Sequence, residues 1–151
     1  MMYTNTTEAC PNSWINPFEV PLADKVAFLK AMDEKLNQPG VFQRVSELAF
    51  VRKQIVFLDS EGSHIEKRIT EVFPSLQVNG QDDQGMMHVR KYRPSMNSIS
   101  RGWETLDQEM FNENAERIVS ELKSVLTAEP CHKDQRSVIW LPAIMFPQTH
   151  E

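Results

Sequence analysis

The stretch "KQIVFLDSEGSHIEKRITEV", residues 53–72, contains two runs rich in β-branched and aromatic residues on either side of a short polar segment. In the second run Ile65 and Ile69 alternate with polar neighbours, as in a half-buried strand. Segment 59–62 reads Asp-Ser-Glu-Gly and has the composition of a hairpin turn, because Gly62 is free to adopt a positive φ. The stretch therefore predicts two antiparallel strands joined by a tight turn.

The same pattern continues on both sides of this hairpin. "RVSELAFV" (44–51) precedes it, "MMHVRKY" (86–92) follows it, and "NGQDDQG" (79–85) supplies a second turn. Closely spaced strands with no helix between them predict an antiparallel sheet. Pro74 is expected to place its strand at an edge or at a bulge, because proline cannot donate to the ladder.

Two helices are predicted to cover this sheet. The first spans about residues 22–37 and stops at Pro39-Gly40, and its apolar positions recur at helical spacing: Leu22, Val26, Leu29, Met32 and Leu36. The second has Asn112 as its expected N-cap and Pro130 beyond its end, with the apolar positions Ala115, Ile118, Val119, Leu122, Val125 and Leu126. Leu29, Val26 and Leu122 are expected to be buried against the sheet.

The order helix, meander, helix and a final strand at 138–141 predicts an α+β fold, an antiparallel β-meander sheet covered by two main helices. Residues 1–21 are expected to form an N-terminal arm, because Pro11, Pro17 and Pro21 forbid a continuous helix. Trp14 and Phe18 are expected to dock this arm on the body. Residues 22–151 are then a single α+β domain.

Composition disfavours several functional classes. The net charge of −5 over 151 residues argues against nucleic-acid binding, and the tight basic cluster Arg90, Lys91 and Arg93 is interpreted as a solvated strand. No apolar run approaches the roughly 20 residues that a membrane span needs. Cys10 and Cys131 have no disulfide-framework spacing, which favours free thiols and a cytoplasmic protein.

Candidate metal ligands are few. His64 and His88 lie in predicted strands, where surface or hairpin packing is a better interpretation than ligation, and Met86-Met87 is interpreted as hairpin packing. Cys131-His132 is a poor zinc pair, because adjacent residues rarely both ligate one ion. His150-Glu151 is the dipeptide with which zinc-hydrolase motifs begin, a histidine ligand followed by a glutamate base.

Four stretches together resemble the TldD/PmbA family of zinc metallopeptidases, also called modulators of DNA gyrase: "NPFEVPLADKVAFLKAMDEKL", "IVFLDSEGSHIEKRIT", "RGWETLDQEMFNENAERIVSELKSVLTAEPC" and "VIWLPAIMFPQTHE". The resemblance covers about residues 16–151. It falls in the middle of the family sequence, on the end of its N-terminal domain, and stops where the metal motif opens.

The resemblance implies a function that this chain carries only in part. In the family's His-Glu-x-x-x-His motif, His150 falls on the first zinc ligand and Glu151 on the residue that activates water. The second histidine and a distant cysteine ligand have no counterpart here. The resemblance therefore implies zinc in the parent family, no cofactor in this chain, and a fragment or truncated member that is inactive alone.

Family subunits pair around a cavity in which extended or unfolded peptides are cleaved. The resemblance implies a shell, peptide-guiding and dimerisation role for this chain, as a homo- or hetero-dimer with a family member. The alternative is a free-standing protein- or peptide-binding module without enzymatic activity, whose exposed edge strand accepts a peptide by β-addition.

Overall fold

The structure, a computed structural model, describes residues 4–8, 15–93, 102–130, 133–135, 137–140, 145 and 149. It contains four strands and two α-helices in these parts of the chain, and it confirms the α+β fold. In chain order these are β1 (Thr4–Glu8), α1 (Leu22–Leu36), β2 (Gln43–Leu58), β3 (His64–Gln81), β4 (Met87–Tyr92) and α2 (Gln108–Leu126), with a one-turn 3-10 helix at Trp103–Thr105 before α2.

The predicted hairpin is confirmed, and it is longer than the sequence pattern suggests. β2 pairs antiparallel with β3 without interruption from Gln43↔Asn79 to Leu58↔His64. At the turn Gly62 has a φ of +93°, and an Asp59 carboxylate oxygen accepts hydrogen bonds from the backbone N–H of Glu61 (2.9 Å) and Ser63 (2.8 Å). Hydrogen bonds from Ser63 hold the pKa of Asp59 below its ordinary value.

Pro74 lies in β3, the central strand of the sheet, and the register with β2 has no bulge there, so the predicted edge is found only locally. β2 occupies one edge of β3 along its whole length. On the other edge β1 pairs with residues 64–68 and β4 with residues 76–81. Pro74 falls in the interval between these two partners, where a missing N–H breaks no pairing with either of them.

The N-terminal arm is more ordered than predicted. Its residues Thr4–Glu8 form β1, which pairs parallel with β3 from Thr4↔His64 to Glu8↔Arg68, so the meander becomes part of a mixed four-stranded sheet. The docking of Phe18 is confirmed: its ring centroid lies 6.4 Å from that of Phe50 and 4.5 Å from the Arg52 guanidinium carbon. Trp14 lies outside the described residues.

Both helices are confirmed, but the predicted cap of the second is wrong. α2 begins at Gln108, and its N-cap is Asp107, whose side chain accepts hydrogen bonds from the backbone N–H of Glu109 (2.9 Å) and Met110 (3.5 Å). Asn112 lies one turn inside the helix, and its amide oxygen is buried without a hydrogen-bond partner. Asp and Asn cap equally well, so composition could not choose between the two positions.

The core lies between the two helices and one face of the sheet. Its fully buried members come from both layers: Met32, Leu36, Val72, Val78, Ala115, Ile118 and Leu122. Leu122 is buried as predicted, but Leu29 is only half-buried and Val26 is 40% exposed. α1 instead turns Phe28 inward, where its ring meets Phe111 edge-on at a centroid distance of 5.7 Å.

The predicted final strand at 138–141 does not form over residues 137–140, which have no strand pairing. Val138 and Ile139 are exposed there, so β-propensity without a neighbouring strand was a misleading signal. Leu141 lies outside the described residues. Within the part of the chain that the structure describes, neither helix has the length and apolar character needed to cross a membrane.

Candidate functional site

The residues that the sequence singled out for zinc chemistry, His150 and Glu151, lie outside the described residues, as do Cys10, Cys131 and His132. The structure therefore describes two of the four histidines, His64 and His88.

His88 and Asp82 form the one histidine–carboxylate pair among the described residues. His88 Nε2 lies 2.9 Å from Asp82 Oδ2, and the other oxygen of Asp82 accepts hydrogen bonds from the turn N–H groups of Gln84 and Met86. Hydrogen bonding to His88 is the largest cause of a lowered Asp82 pKa. The stabilisation that this carboxylate gives the folded turn is therefore present at neutral pH and is lost as the pH falls through the lowered pKa.

This pair does not amount to a zinc site. A zinc site needs three or four ligands around one ion. His64 sits at the far end of β3, directly across from Leu58, and not beside His88. No group of three or more histidine, cysteine, aspartate or glutamate side chains is placed to hold a metal within the described residues. The described residues therefore contain no ligand set that fits zinc.

The predicted basic cluster is divided by the strand geometry. Arg90 and Lys91 are consecutive in β4, so their side chains point to opposite faces of the sheet. Arg90 also donates a hydrogen bond to the carbonyl oxygen of Val89 at 2.8 Å. Alternation of side chains along β4 therefore supports the interpretation of a solvated strand over that of a basic patch.

The two faces of the sheet differ in what covers them. The even-numbered residues of β2 and β3 face the helices, and Val72, Leu76 and Val78 are buried there. The odd-numbered residues face the other way. No described helix or strand packs on that second side, which we call the outer face.

The outer face carries many large apolar side chains at an exposed fraction between 36% and 51%: Val51, Ile55, Phe57, Ile65, Phe73, Met87 and Val89. A polar ladder closes one end of it, in which the Asn79 amide donates to Gln43 and accepts from Gln77, each at 2.9 Å. Charged residues lie among the apolar side chains, since Val51 faces Glu71, Lys53 faces Ile69 and Ile55 faces Lys67 across the ladder. A sheet face with this many exposed apolar side chains is typical of a binding or packing site.

The outer face continues onto a ribbon formed by residues 51–58 of β2 and 64–69 of β3. Every β2 side chain from Val51 onward is exposed, whichever face it occupies. β1 pairs with β3 along this ribbon, but a ribbon of two or three strands with such exposed side chains has little core of its own. Its apolar side chains therefore gain burial only from a further surface.

Three strands of this sheet have a free backbone edge among the described residues. β1, β2 and β4 each pair only with β3. Beside the β4 edge Met86 and Met87 are exposed, at 60% and 45%. The methionine pair does lie in the β3–β4 hairpin, where the Met86 carbonyl oxygen accepts a hydrogen bond from the Asp82 N–H at 3.0 Å, but about half of each side chain is exposed.

The sequence reasoning missed the outer face, although one signal was present. In "KQIVFLD" the apolar residues Ile55 to Leu58 are consecutive, so both faces of the strand carry apolar side chains. A helix layer on one face explains only half of such a pattern. Which half remains uncovered depends on the tertiary packing of α1 and α2.

One comparison with known proteins identifies a related domain. A family model described as the PmbA/TldA metallopeptidase central domain matches residues 15–126. No curated protein matches the chain. The matched range contains both helices and strands β2, β3 and β4, and it excludes His150 and Glu151. The matched model is described as a central domain, whereas the sequence resemblance was assigned to the end of the N-terminal domain.

Proposed function

The chain belongs to the PmbA/TldA metallopeptidase family, and on that basis we propose that it is a non-catalytic member that serves as a peptide-guiding and pairing domain. It acts in the cytoplasm, as a homo- or hetero-dimer with a family member. The apolar outer face of the sheet is the observation that carries this proposal.

The distribution of functional residues supports a role other than catalysis for this domain. The two residues that the resemblance assigns to zinc chemistry, His150 and Glu151, lie beyond the range that matches the family's central domain. A zinc peptidase needs three protein ligands, an open position for water and a general base. The matched central domain, residues 15–126, contains neither of the two residues that the resemblance assigns to this chemistry.

The peptide is proposed to bind along the free edge of β4. An extended peptide can continue a sheet through main-chain hydrogen bonds, which makes such binding tolerant of sequence. Met87 and Val89 project from β4 onto the outer face and are 45% and 40% exposed. Methionine side chains are flexible and polarizable, so they adapt to different peptide side chains.

The test is a titration of ¹⁵N-labelled protein, made without a His-tag, with an unfolded peptide. Chemical shifts are expected to change in a contiguous stripe along Met87–Tyr92, with a dissociation constant in the micromolar range or weaker. Val89→Lys should weaken this binding. Val56→Lys is the matched control, because Val56 is also exposed (52%, against 40% for Val89) but lies on β2 and on the opposite face of the sheet.

Activity and metal content are measured on the same preparation. We expect no hydrolysis of casein or of the peptide, with or without added zinc, and no stoichiometric zinc after dialysis against a mild chelator. Cleavage that Glu151→Gln abolishes would show instead that the chain is itself a peptidase. Peptide binding by the isolated chain with no affinity for a family subunit would favour the free-standing binding module.

A further inference from the structure

The free edge of β2 is long and regular. β2 has 16 residues, contains no proline and forms an unbroken ladder with β3, with no bulge in its register. Alternate residues of β2 direct their N–H and C=O groups away from β3, and no described strand accepts them. An edge of this length is a ready template for another chain, and proteins usually interrupt or cover it.

The two charged residues of β2 that lie on the outer face are placed symmetrically about Phe50. Glu47 and Lys53 both lie on the outer face, each three residues from Phe50. The two arginines point to the other face and are held within the chain. Arg44 donates to Asp33 at 2.7 Å and Arg52 donates to the Asn16 side chain at 2.9 Å.

We propose that β2 pairs with β2 of a second copy of this chain, antiparallel and about a two-fold axis through Phe50. This deepens the proposed function and rests on it, because it names the surface through which the domain pairs. In this register Glu47 lies opposite Lys53 of the second copy, and the symmetry repeats the contact. Val45 then lies opposite Ile55, and Ala49 opposite Val51.

The register follows from parity and charge. Every second residue of β2 directs its N–H and C=O groups outward. Two copies can therefore form antiparallel hydrogen bonds only when the residues that face each other are both odd-numbered or both even-numbered, so that their numbers add up to an even total. In the proposed register the numbers of facing residues add up to 100, and the two nearest allowed registers have totals of 98 and 102. These place Lys53 opposite Val45 or Ala49, and they leave Glu47 opposite an apolar residue. Larger slips bring Glu47 against Glu47 or Lys53 against Lys53. The register centred on Phe50 pairs opposite charges and contains no like-charge contact.

Both charged side chains can reach across the junction. Lys53 is paired with Glu71 of its own chain, yet its side chain remains 51% exposed. Glu47 accepts a hydrogen bond from the Ser75 hydroxyl at 3.3 Å and is also exposed. Each can therefore keep its present partner and add a second contact.

Pairing of β2 edges also brings apolar residues of the two outer faces together across the junction. The two four-stranded sheets would become one continuous sheet, and Val51 and Ile55 of each copy would meet Ala49 and Val45 of the other. The β4 edges remain at the two outer ends of this sheet, free for peptide. An isologous contact of this kind closes at two copies and does not propagate into a fibre.

A zero-length cross-link tests the register directly. A carbodiimide joins the Glu47 carboxylate and the Lys53 amine as an amide, and the carbodiimide takes up the released water as a urea. Within one chain these residues are six apart on an extended strand, about 20 Å, so the amide can form only between copies. In a mixture of ¹⁴N and ¹⁵N chains we expect the cross-linked Glu47–Lys53 peptide to carry mixed labels.

The second test reverses the two charges and measures dimer formation by light scattering. Glu47→Lys and Lys53→Glu should each weaken the dimer at least about tenfold, because each creates two like-charge contacts. The double variant should restore it. Lys67→Glu is the matched control, because Lys67 lies on the outer face but on β3. Glu47→Lys is the cleaner single variant, since Lys53→Glu also removes the partner of Glu71.

A protein that stays monomeric at all concentrations, or a dimer that gives no Glu47–Lys53 cross-link and ignores both reversals, would overturn the proposal. Failure here is distinguishable from failure of the proposed function. The peptide titration at β4 and its Val89→Lys variant do not involve the β2 edge, so each result stands independently of the other.

Discussion

Leu122 and Leu22 are the same residue type in opposite environments. Leu122 is fully buried on α2, whereas Leu22 at the start of α1 is 75% exposed. We expect Leu122→Ala to reduce the free energy of unfolding by about 2–5 kcal/mol, because transfer of the side chain and the cavity both contribute. Leu22→Ala, the matched control, should change it by less than about 0.5 kcal/mol.

Denaturant unfolding followed by circular dichroism measures both variants. A loss below about 1 kcal/mol for Leu122→Ala would contradict the packing of α2 on the sheet. A comparable loss for Leu22→Ala would mean that the exposed start of α1 is covered in solution.

These two leucines also show what residue spacing could and could not predict. The predicted apolar stripe of α1 consists of Leu22, Val26, Leu29, Met32 and Leu36. A second stripe at helical spacing consists of Phe28, Met32 and Leu36. The stripes share Met32 and Leu36, which are buried in either case. Only contact of Phe28 with Phe111 and Trp103 decides between them, and that contact joins residues far apart in the chain.

At the scale of the element, the N-terminus of α2 offers a paired test. Asp107→Ala should cost about 0.5–2 kcal/mol of stability, because the N–H groups of Glu109 and Met110 lose their acceptor. Asn112→Ala is expected to be neutral or stabilising, since it removes a buried amide oxygen that has no partner. Thermal unfolding of the two variants gives the comparison. A larger loss of stability for Asn112→Ala than for Asp107→Ala would indicate that Asn112 is the N-cap, as the sequence suggested.

Local elements were predictable where one short segment specifies them. The hairpin between β2 and β3 was found because a turn with Gly62 separates two β-rich runs, and α1 and α2 were found from their spacing. β1 was missed because its partner His64–Arg68 is far away in sequence, and no local pattern encodes a parallel pairing. The strand at 138–141 was predicted from propensity alone, without any evidence for a neighbour.

The candidate site was predicted least well, for a related reason. The sequence directs attention to residue types with distinctive chemistry, such as His150 and Glu151, and these fall outside the described residues. The surface that the structure offers consists of ordinary residues, Val51, Phe57 and Val89 among them. Their importance depends on the helices covering one face of the sheet and leaving the other bare.

At the scale of the whole molecule, the domain has two layers, with both helices on one side of the sheet. The matched family range contains this entire arrangement except for β1. The part of the sheet that the helices cover, around Val72–Val78, is held by side-chain burial as well as by the ladder. The ribbon and β1 are held mainly by backbone pairing.

The parallel pairing of β1 with β3 has a consequence for the order in which the protein folds. The hairpin closes a loop of five residues, whereas β1 reaches His64 only after about 55 intervening residues have been arranged, and long loops cost more entropy to close. β1 should therefore dock last and open first. Native-state hydrogen exchange should show amide protons of Thr4–Glu8 exchanging through a low-energy opening, while those of Val72–Val78 exchange only on global unfolding. Equal protection of both segments would show that the strand joins the sheet in the same cooperative step as the hairpin.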